Sequence, residues 1–275
     1  MFRLLYKKYP ELLLLLVGVL VFLSHLGVLY VNIMEARNFI SAREMLTHGH
    51  WIFTTLNDLP RYEKPPLPTW LTAISASLFG IHNVFAYRLP AALAALFLML
   101  IFYKIQISIK VQKNIAFWST LILSTSFYII FAGRDGQWDI YTHSFMMGGI
   151  FFFLKTLHNS GRKIFYAAIG GLFLGASLLS KGPVSVYALF LPFLISYGIV
   201  YKIDVKKNWK AMLVFFIIGI VGSIWWTFLV HFYDPGAFSE IASRESSRWF
   251  NYNVRPFWYY WSFFTQSGIW TIPAL

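Results

Sequence analysis

The chain has 275 residues, 58% of them hydrophobic and only 12% charged, with a mean hydropathy of +0.60. A soluble domain carries roughly 25% charged residues, so a soluble globular protein and a disordered chain are both excluded and an integral membrane protein is expected. The net charge of +12 is explained by loop topology rather than by a nucleic-acid partner, and the lack of cysteine excludes disulfides, thiolate zinc and cysteine catalysis.

Apolar stretches of about 17–25 residues are long enough to cross a bilayer as helices. In chain order they are predicted at about 11–31, 87–105, 114–132, 140–157, 164–180, 184–201, 211–232 and 257–275. The first follows Arg3, Lys7 and Lys8 and has no small-residue cleavage site, so it is read as an uncleaved span. Within the long loop 32–86, Glu35 to Leu46 is helix-compatible and Gly49 is placed to end that helix. The segment Leu67 to Gly80 would rise only about 21 Å as a helix, short of the ~30 Å hydrocarbon core.

Loop charge decides where that short segment lies. If it rests on the membrane surface, one side collects 13 basic residues against only Glu11 and Asp204. If it spans, the asymmetry dissolves. The positive-inside rule therefore favours an interfacial helix, a cytoplasmic N-terminus and long outer loops at 32–86 and 233–256. The apolar pattern is still running at Leu275, so the chain is read as the N-terminal part of one longer transmembrane domain.

Composition leaves the run Arg61-Tyr62-Glu63-Lys64-Pro65-Pro66 unexplained. Two prolines restrict the backbone there and disfavour α conformation at Lys64. A carboxylate and an ammonium are thus held side by side at the membrane face, either as an exposed ion pair or as a site for an anionic headgroup.

The series Glu35-Ala36-Arg37, Ala42-Arg43-Glu44-Met45, Gly49-His50-Trp51 and Tyr62-Glu63-Lys64-Pro65-Pro66-Leu67 resembles the start of the aminoarabinose transferases that modify lipid A. These belong to the bacterial relatives of the protein O-mannosyltransferases. The likeness continues at Arg88-Leu89-Pro90, Ala132-Gly133-Arg134 with Asp139, Lys181-Gly182-Pro183 and Pro256-Phe257-Trp258-Tyr259-Tyr260. The resemblance implies an all-α polytopic transmembrane bundle of GT-C type with interfacial helices in the first outer loop. It also implies an inner-membrane enzyme that passes a sugar from a polyprenyl-phosphate carrier to an acceptor on the non-cytoplasmic face. The acceptor is lipid A or another envelope lipid, glycan or protein.

Breaking the bond between an anomeric carbon and a phosphate oxygen releases a stable anion, so fixed positive charge is needed more than a general acid. The candidates on the outer side are Arg37, Arg61, Lys64, Arg88, Arg134, Lys181, Arg248 and Arg255, with Tyr62 beside them. A carboxylate should activate or position the acceptor. Asp139, at the start of a span, matches a catalytic-loop aspartate of the family, although an acid there also caps a helix. Asp135 reads as local structure or as a partner of Arg134. Where the family has Asp-Glu this chain has Met34-Glu35, so Glu35 is expected to take the base role. Glu63 is implied as a ligand of a divalent metal. His48, His50 and His231 show no HxxxH or HExxH spacing and read as structural.

Two readings from other classes stay open: a transporter or flippase for a lipid-linked substrate, and an inactive lipid-binding relative. The first would place ionisable residues within the spans and broken helices at the midplane. Here the ionisable residues collect at the outer ends.

Overall fold

A computed structural model describes residues 8–158, 161–201, 203–251 and 256–274. Its core is four long rods in which chain direction can be followed from contacts. Helix α4 (Val84–Ser108), α7 (Asp139–His158), α8 (Lys163–Lys181) and α10 (Val205–Tyr233) carry most of the buried apolar surface. Thr142, early in α7, bonds the carbonyl of Ser177, late in α8, so these two helices run antiparallel. Gly171 and Gly175 of α8 meet Phe215 and Gly219 of α10 in the same order, so that pair is parallel.

Shorter elements fill in around the rods. Helix α1 (Pro10–Gly18) continues as a widened turn at Val19–Leu23 and packs on α4. Helices α2 (Ile33–His48) and α3 (Leu67–Phe79) lie between α1 and α4 in sequence, joined through a hairpin of β1 (Thr55–Leu56) and β2 (Leu59–Pro60). Helices α5 (Lys113–Thr125) and α6 (Phe127–Arg134) form a pair bent by 61° at Ser126. Helix α9 (Leu191–Tyr201) is preceded by a widened turn at Val186–Phe190, and α11 (Pro235–Asn251) follows α10. Residues Phe257–Trp270 form 3-10 turns that lead to α12 (Thr271–Ala274).

Among the described residues, α4, α8 and α10 are long and apolar enough to cross a membrane, and the α5–α6 pair, bent by 61°, is a fourth where the two halves are taken as one span. Helix α10 shows lipid-facing chemistry most plainly, with Leu213, Ile217, Ile220, Val221 and Phe228 exposed along it.

Four expectations are corrected, the first being the span at 257–275, where Phe257–Trp270 form 3-10 turns kinked at Gly268 ahead of the short α12. The first apolar stretch stops being helical after Leu23, because Arg88 and Arg134 take carbonyls between Val21 and Tyr30. The stretch at 114–132 is two helices, since Ser126 adopts extended backbone. The loop at 233–256 is mostly α11, opened by the Asp234 cap with Pro235 in the first turn.

Chain direction sorts the charges. The start of α4, the end of α6, the start of α7 and the ends of α8 and α10 lie at one end of the bundle. Lys104, Lys113, Lys155, Lys163 and Lys206 lie toward the other, where Lys163 also bonds Asn208 at 2.5 Å.

Candidate functional site

Two charged centres occupy the first end of the bundle. The inner one is built on the N-terminus of α2. Asn32 caps that helix, its side chain accepting the amides of Met34 (2.9 Å) and Glu35 (3.1 Å), while Glu35 accepts the Asn32 amide at 3.0 Å. Glu35 is 1% exposed. It also receives a two-pronged contact from Arg88, at 2.5 and 3.0 Å, and the Gly136 amide at 3.1 Å. Arg88, equally buried, gives its remaining donors to the carbonyls of Leu26, Leu29 and Tyr30. Glu35 is held below the ordinary carboxylate range, because the contacts with Arg88, Gly136 and Asn32 outweigh its burial.

The loop 135–138 closes over this pair. Asn38 holds it too, donating to the Gly136 carbonyl at 2.8 Å. Asp135 is buried and accepts from Asn32 (3.1 Å) and from Gln137, leaving its Oδ1 without a hydrogen-bond partner. Its carboxyl is pushed up to about 7, by burial first and by the neighbouring Glu35 charge next. Of the two readings of Asp135, the local structural one holds and the Arg134 partner does not: Arg134 donates to the Val21 carbonyl at 2.8 Å and reaches Ser24 and His25. A cavity of about 230 Å³ opens beside these groups, lined in part by Tyr30, Glu35, Arg88, Arg134 and Asp135.

The outer centre forms where α7 begins and α8 ends. Lys181 pairs with Asp139, each about 30% exposed, so both stay within reach of a ligand. The Lys64 ammonium is held below its usual range by burial, with Lys181 adding to the shift and Glu245, Asp139 and Glu63 opposing it. That pattern of influences places Lys64 in the field of the pair. Glu63 accepts from Arg244 of α11 at 2.8 Å, and its other oxygen is buried without a hydrogen-bond partner.

Arg61 braces this segment rather than facing outward. It bonds the Arg37 carbonyl (2.9 Å) and Ser41 (3.0 Å) and lies 4.7 Å over the Trp138 ring. Burial draws its guanidinium down to about 10. Tyr62 donates to Asp234 at 2.8 Å, which ties the start of α11 to the Lys64 turn.

Beside the outer centre lies an apolar cavity of about 260 Å³, bounded by Leu98, Phe102, Ile129 and Met147, with Tyr128 and His143 on its wall. His143 stands one helical turn beyond Asp139. Tyr128 and His143 both sense the Asp139 charge, so the greasy chamber adjoins the charged pair.

The sequence candidates thus divide. Asp139 and Lys181 pair, and Lys64 and Glu63 lie within electrostatic reach of them or of each other. Glu35 and Arg88 form a separate buried pair on the wall of the cavity of about 230 Å³, and every polar atom of theirs already has a protein partner. Arg61, Tyr62 and Arg134 hold backbone or side chains in place, and Arg37 is exposed. The side chain of Arg248, and Arg255 entirely, lie outside the described residues. Sequence reasoning missed Arg244, Asp234 and Asn38, whose partners are far away in the chain. The Asn32-x-x-Glu35 spacing of a capping box was the one local signal available.

For Glu63 as a metal ligand the surroundings do not fit. Among the described residues no group of three metal-ligating side chains includes it, and a guanidinium holds one of its oxygens.

A helical bundle with surface helices over one end, and the charged and apolar chambers beneath them, defines an all-α polytopic membrane protein of GT-C type. The model of the family described as dolichyl-phosphate-mannose-protein mannosyltransferase matches residues 63–226, more than half of the chain. The chain belongs to that family. It is 25% identical over 231 residues to an undecaprenyl phosphate-alpha-4-amino-4-deoxy-L-arabinose arabinosyl transferase of Shewanella sediminis, covering 80% of this chain and 40% of that one. The crystal structure of ArnT from Cupriavidus metallidurans in the apo state superposes with a TM-score of 0.74 at 20% identity, covering 95% of this chain and 48% of that one. The same protein bound to undecaprenyl phosphate gives 0.72 at 21%, covering 86% and 44%. At these identities the structural likeness is one of fold. The chain spans about 40% of the length of that curated relative.

Proposed function

We propose that the chain is the membrane core of a glycosyltransferase that moves a sugar from a polyprenyl-phosphate carrier to an envelope lipid or glycan. The observation that carries this reading is the apolar chamber walled by Ile140 and His143, next to Asp139 and its partner Lys181 in the chain and the fold. A polyprenyl chain needs a greasy channel, and its phosphate needs fixed cations where the channel meets polar groups. The relative bound to undecaprenyl phosphate supports the same carrier class.

In this reading Lys181 and Lys64 stabilise the phosphate as it leaves the anomeric carbon. Asp139 holds Lys181 in the resting state and turns to the acceptor when phosphate arrives. A hydroxyl acceptor would lose its proton to Asp139, whereas a phosphate acceptor would only be oriented by it. Glu35 acts by positioning: through Gly136 it fixes the loop that ends at Asp139. The resemblance to aminoarabinose transferases favours a lipid A-like acceptor. The reading also places this end of the bundle on the non-cytoplasmic face of the bacterial inner membrane.

The test uses the full-length protein in proteoliposomes with radiolabelled polyprenyl-phosphate sugars and an envelope lipid extract. Lys181→Met and Asp139→Asn, each checked for folding, are expected to lower transfer by about 100-fold or more. Transfer that survives both changes would discard the site. Carrier movement across the bilayer without transfer would replace the enzyme with a transporter.

A further inference from the structure

The C-terminal end of α2 carries a cluster that the proposed reaction does not use. His48 is the last residue of that helix, and Gly49, at φ 77°, turns the chain back so that His50 lies beside it. The two imidazoles are 5.6 Å apart between ring centroids. From the other direction comes the β1–β2 hairpin, whose turn residues Asn57 and Asp58 both hold positive φ, at 54° and 62°. Two successive left-handed residues make the tight hairpin turn that Asn and Asp tolerate best. The turn brings the Asp58 carboxylate to 2.9 Å from Nδ1 of His48.

Buried Glu44 holds this turn in place. One of its oxygens accepts the Asn57 amide at 2.7 Å, and the other accepts the Thr55 hydroxyl at 2.5 Å. That second bond fixes a tautomer. A hydroxyl has a single proton, and Thr55 gives it to Glu44, so in its 2.9 Å contact with His50 Nδ1 the hydroxyl must accept. His50 therefore carries a proton on Nδ1, which leaves Nε2 as the ring atom for another partner. A carboxylate, acting through a hydroxyl, orients the imidazole as outer partners do around bound metals.

Donor atoms of His48, His50 and Asp58 all lie within 4.8 Å of one another. Around tetrahedral zinc the donors sit about 3.4 Å apart. His48 and Asp58 are 48% and 67% exposed, so their side chains have room to close that gap. Two imidazoles and one carboxylate suit zinc among the first-row divalent ions, with a fourth position left to water.

We propose that His48, His50 and Asp58 bind a divalent metal ion of the zinc class, clamping the hairpin to the end of α2. The clamp would bear on the outer centre, because strand β2 runs directly into Arg61-Tyr62-Glu63-Lys64. Arg61 is already tied to the hairpin's approach, its amide donating to the Thr54 carbonyl at 2.8 Å. The ion would steady the turn that carries Lys64, at a position separate from Glu63.

The test takes full-length protein purified without a polyhistidine tag, strips it with chelator, and titrates it with Zn²⁺ and with Co²⁺ as an absorbing substitute. Wild type should bind one equivalent and give tetrahedral Co²⁺ bands. Asp58→Asn, which keeps a residue suited to the left-handed turn, and His50→Ala should each weaken binding by about 10–100-fold. Glu63→Gln should leave it unchanged. The proposal is overturned if wild type binds no ion, or if binding persists in Asp58→Asn and His50→Ala. Loss of binding only in Glu63→Gln would overturn it equally, and would move the metal to that carboxylate.

Discussion

Arg88 uses all five of its N–H donors inside the protein, two on Glu35 and three on carbonyls of the segment after α1. A guanidinium so committed is a structural tie, and its charge is balanced where it sits. Removing it would leave the buried Glu35 carboxylate without its counter-charge and three carbonyls without the donors Arg88 supplies. Arg88→Leu is therefore expected to cost about 3–5 kcal/mol of stability, read as a lowered unfolding temperature in detergent. Adding Glu35→Leu should restore part of the loss, and an unchanged melting temperature in the single variant would contradict the tie. Asp135 offers a second test at this scale. Its folded value near 7 lies well above the roughly 3.9 of an unfolded aspartate. Between those values the folded state holds a proton that the unfolded chain releases, so stability is greatest at low pH and falls as pH rises through the window from about 4 to about 7. Asp135→Asn removes that loss. From pH 5 to pH 8 the wild type should lose about 3–5 °C of melting temperature relative to the variant. Parallel curves would show that Asp135 is ionised throughout. The cap around Asn32 and Glu35 could be read from spacing, whereas the Arg88 tie could not, since 53 residues separate its partners.

At the level of elements, apolarity located the helices but not their breaks. The first apolar stretch loses its helix after Leu23 although Leu26, Val28 and Leu29 continue the pattern, because two distant arginines compete for its carbonyls. Ser126 divides α5 from α6 with no proline or glycine to mark it. The short helix at Leu67–Phe79 was legible, because an apolar run too short for a span begins there directly after two prolines. The crossing of α8 and α10 depends on small residues that hydropathy does not distinguish. A side chain on Gly171 would meet the Phe215 carbonyl at 2.6 Å, and one on Gly175 the Gly219 carbonyl at 3.2 Å, so the obstruction is backbone that cannot swing aside. Gly171→Ala should therefore destabilise by about 1–3 kcal/mol, despite the better helix propensity of alanine. Because Lys181 ends the same helix, transfer activity should fall alongside the melting temperature. A variant as stable as wild type would mean that the helices are not in contact there.

For the whole molecule the question is which end faces which compartment. Lys104 of α4, Lys155 of α7, Lys163 of α8 and Lys206 of α10 lie away from both charged centres, and a bilayer retains such a cluster on its cytoplasmic side. This asymmetry was readable from the sequence alone, because it depends on loop counts and not on packing. The two centres were not readable as separate units, since proximity in the fold decides which of Glu35, Asp139, Arg88 and Lys181 pair. The 25 residues of α4 connect the two ends, with His82 exposed before it and Gln112 exposed after it. The chain contains no cysteine, so single cysteines can be introduced without background labelling. In intact spheroplasts, His82→Cys should react with a membrane-impermeant maleimide, and Gln112→Cys should react only once the membrane is opened. The reverse pattern would place the charged centres on the cytoplasmic face. The donor would then have to be a carrier presented from inside, and Lys64, Lys181 and Asp139 would meet acceptors of the cytoplasm instead of the envelope.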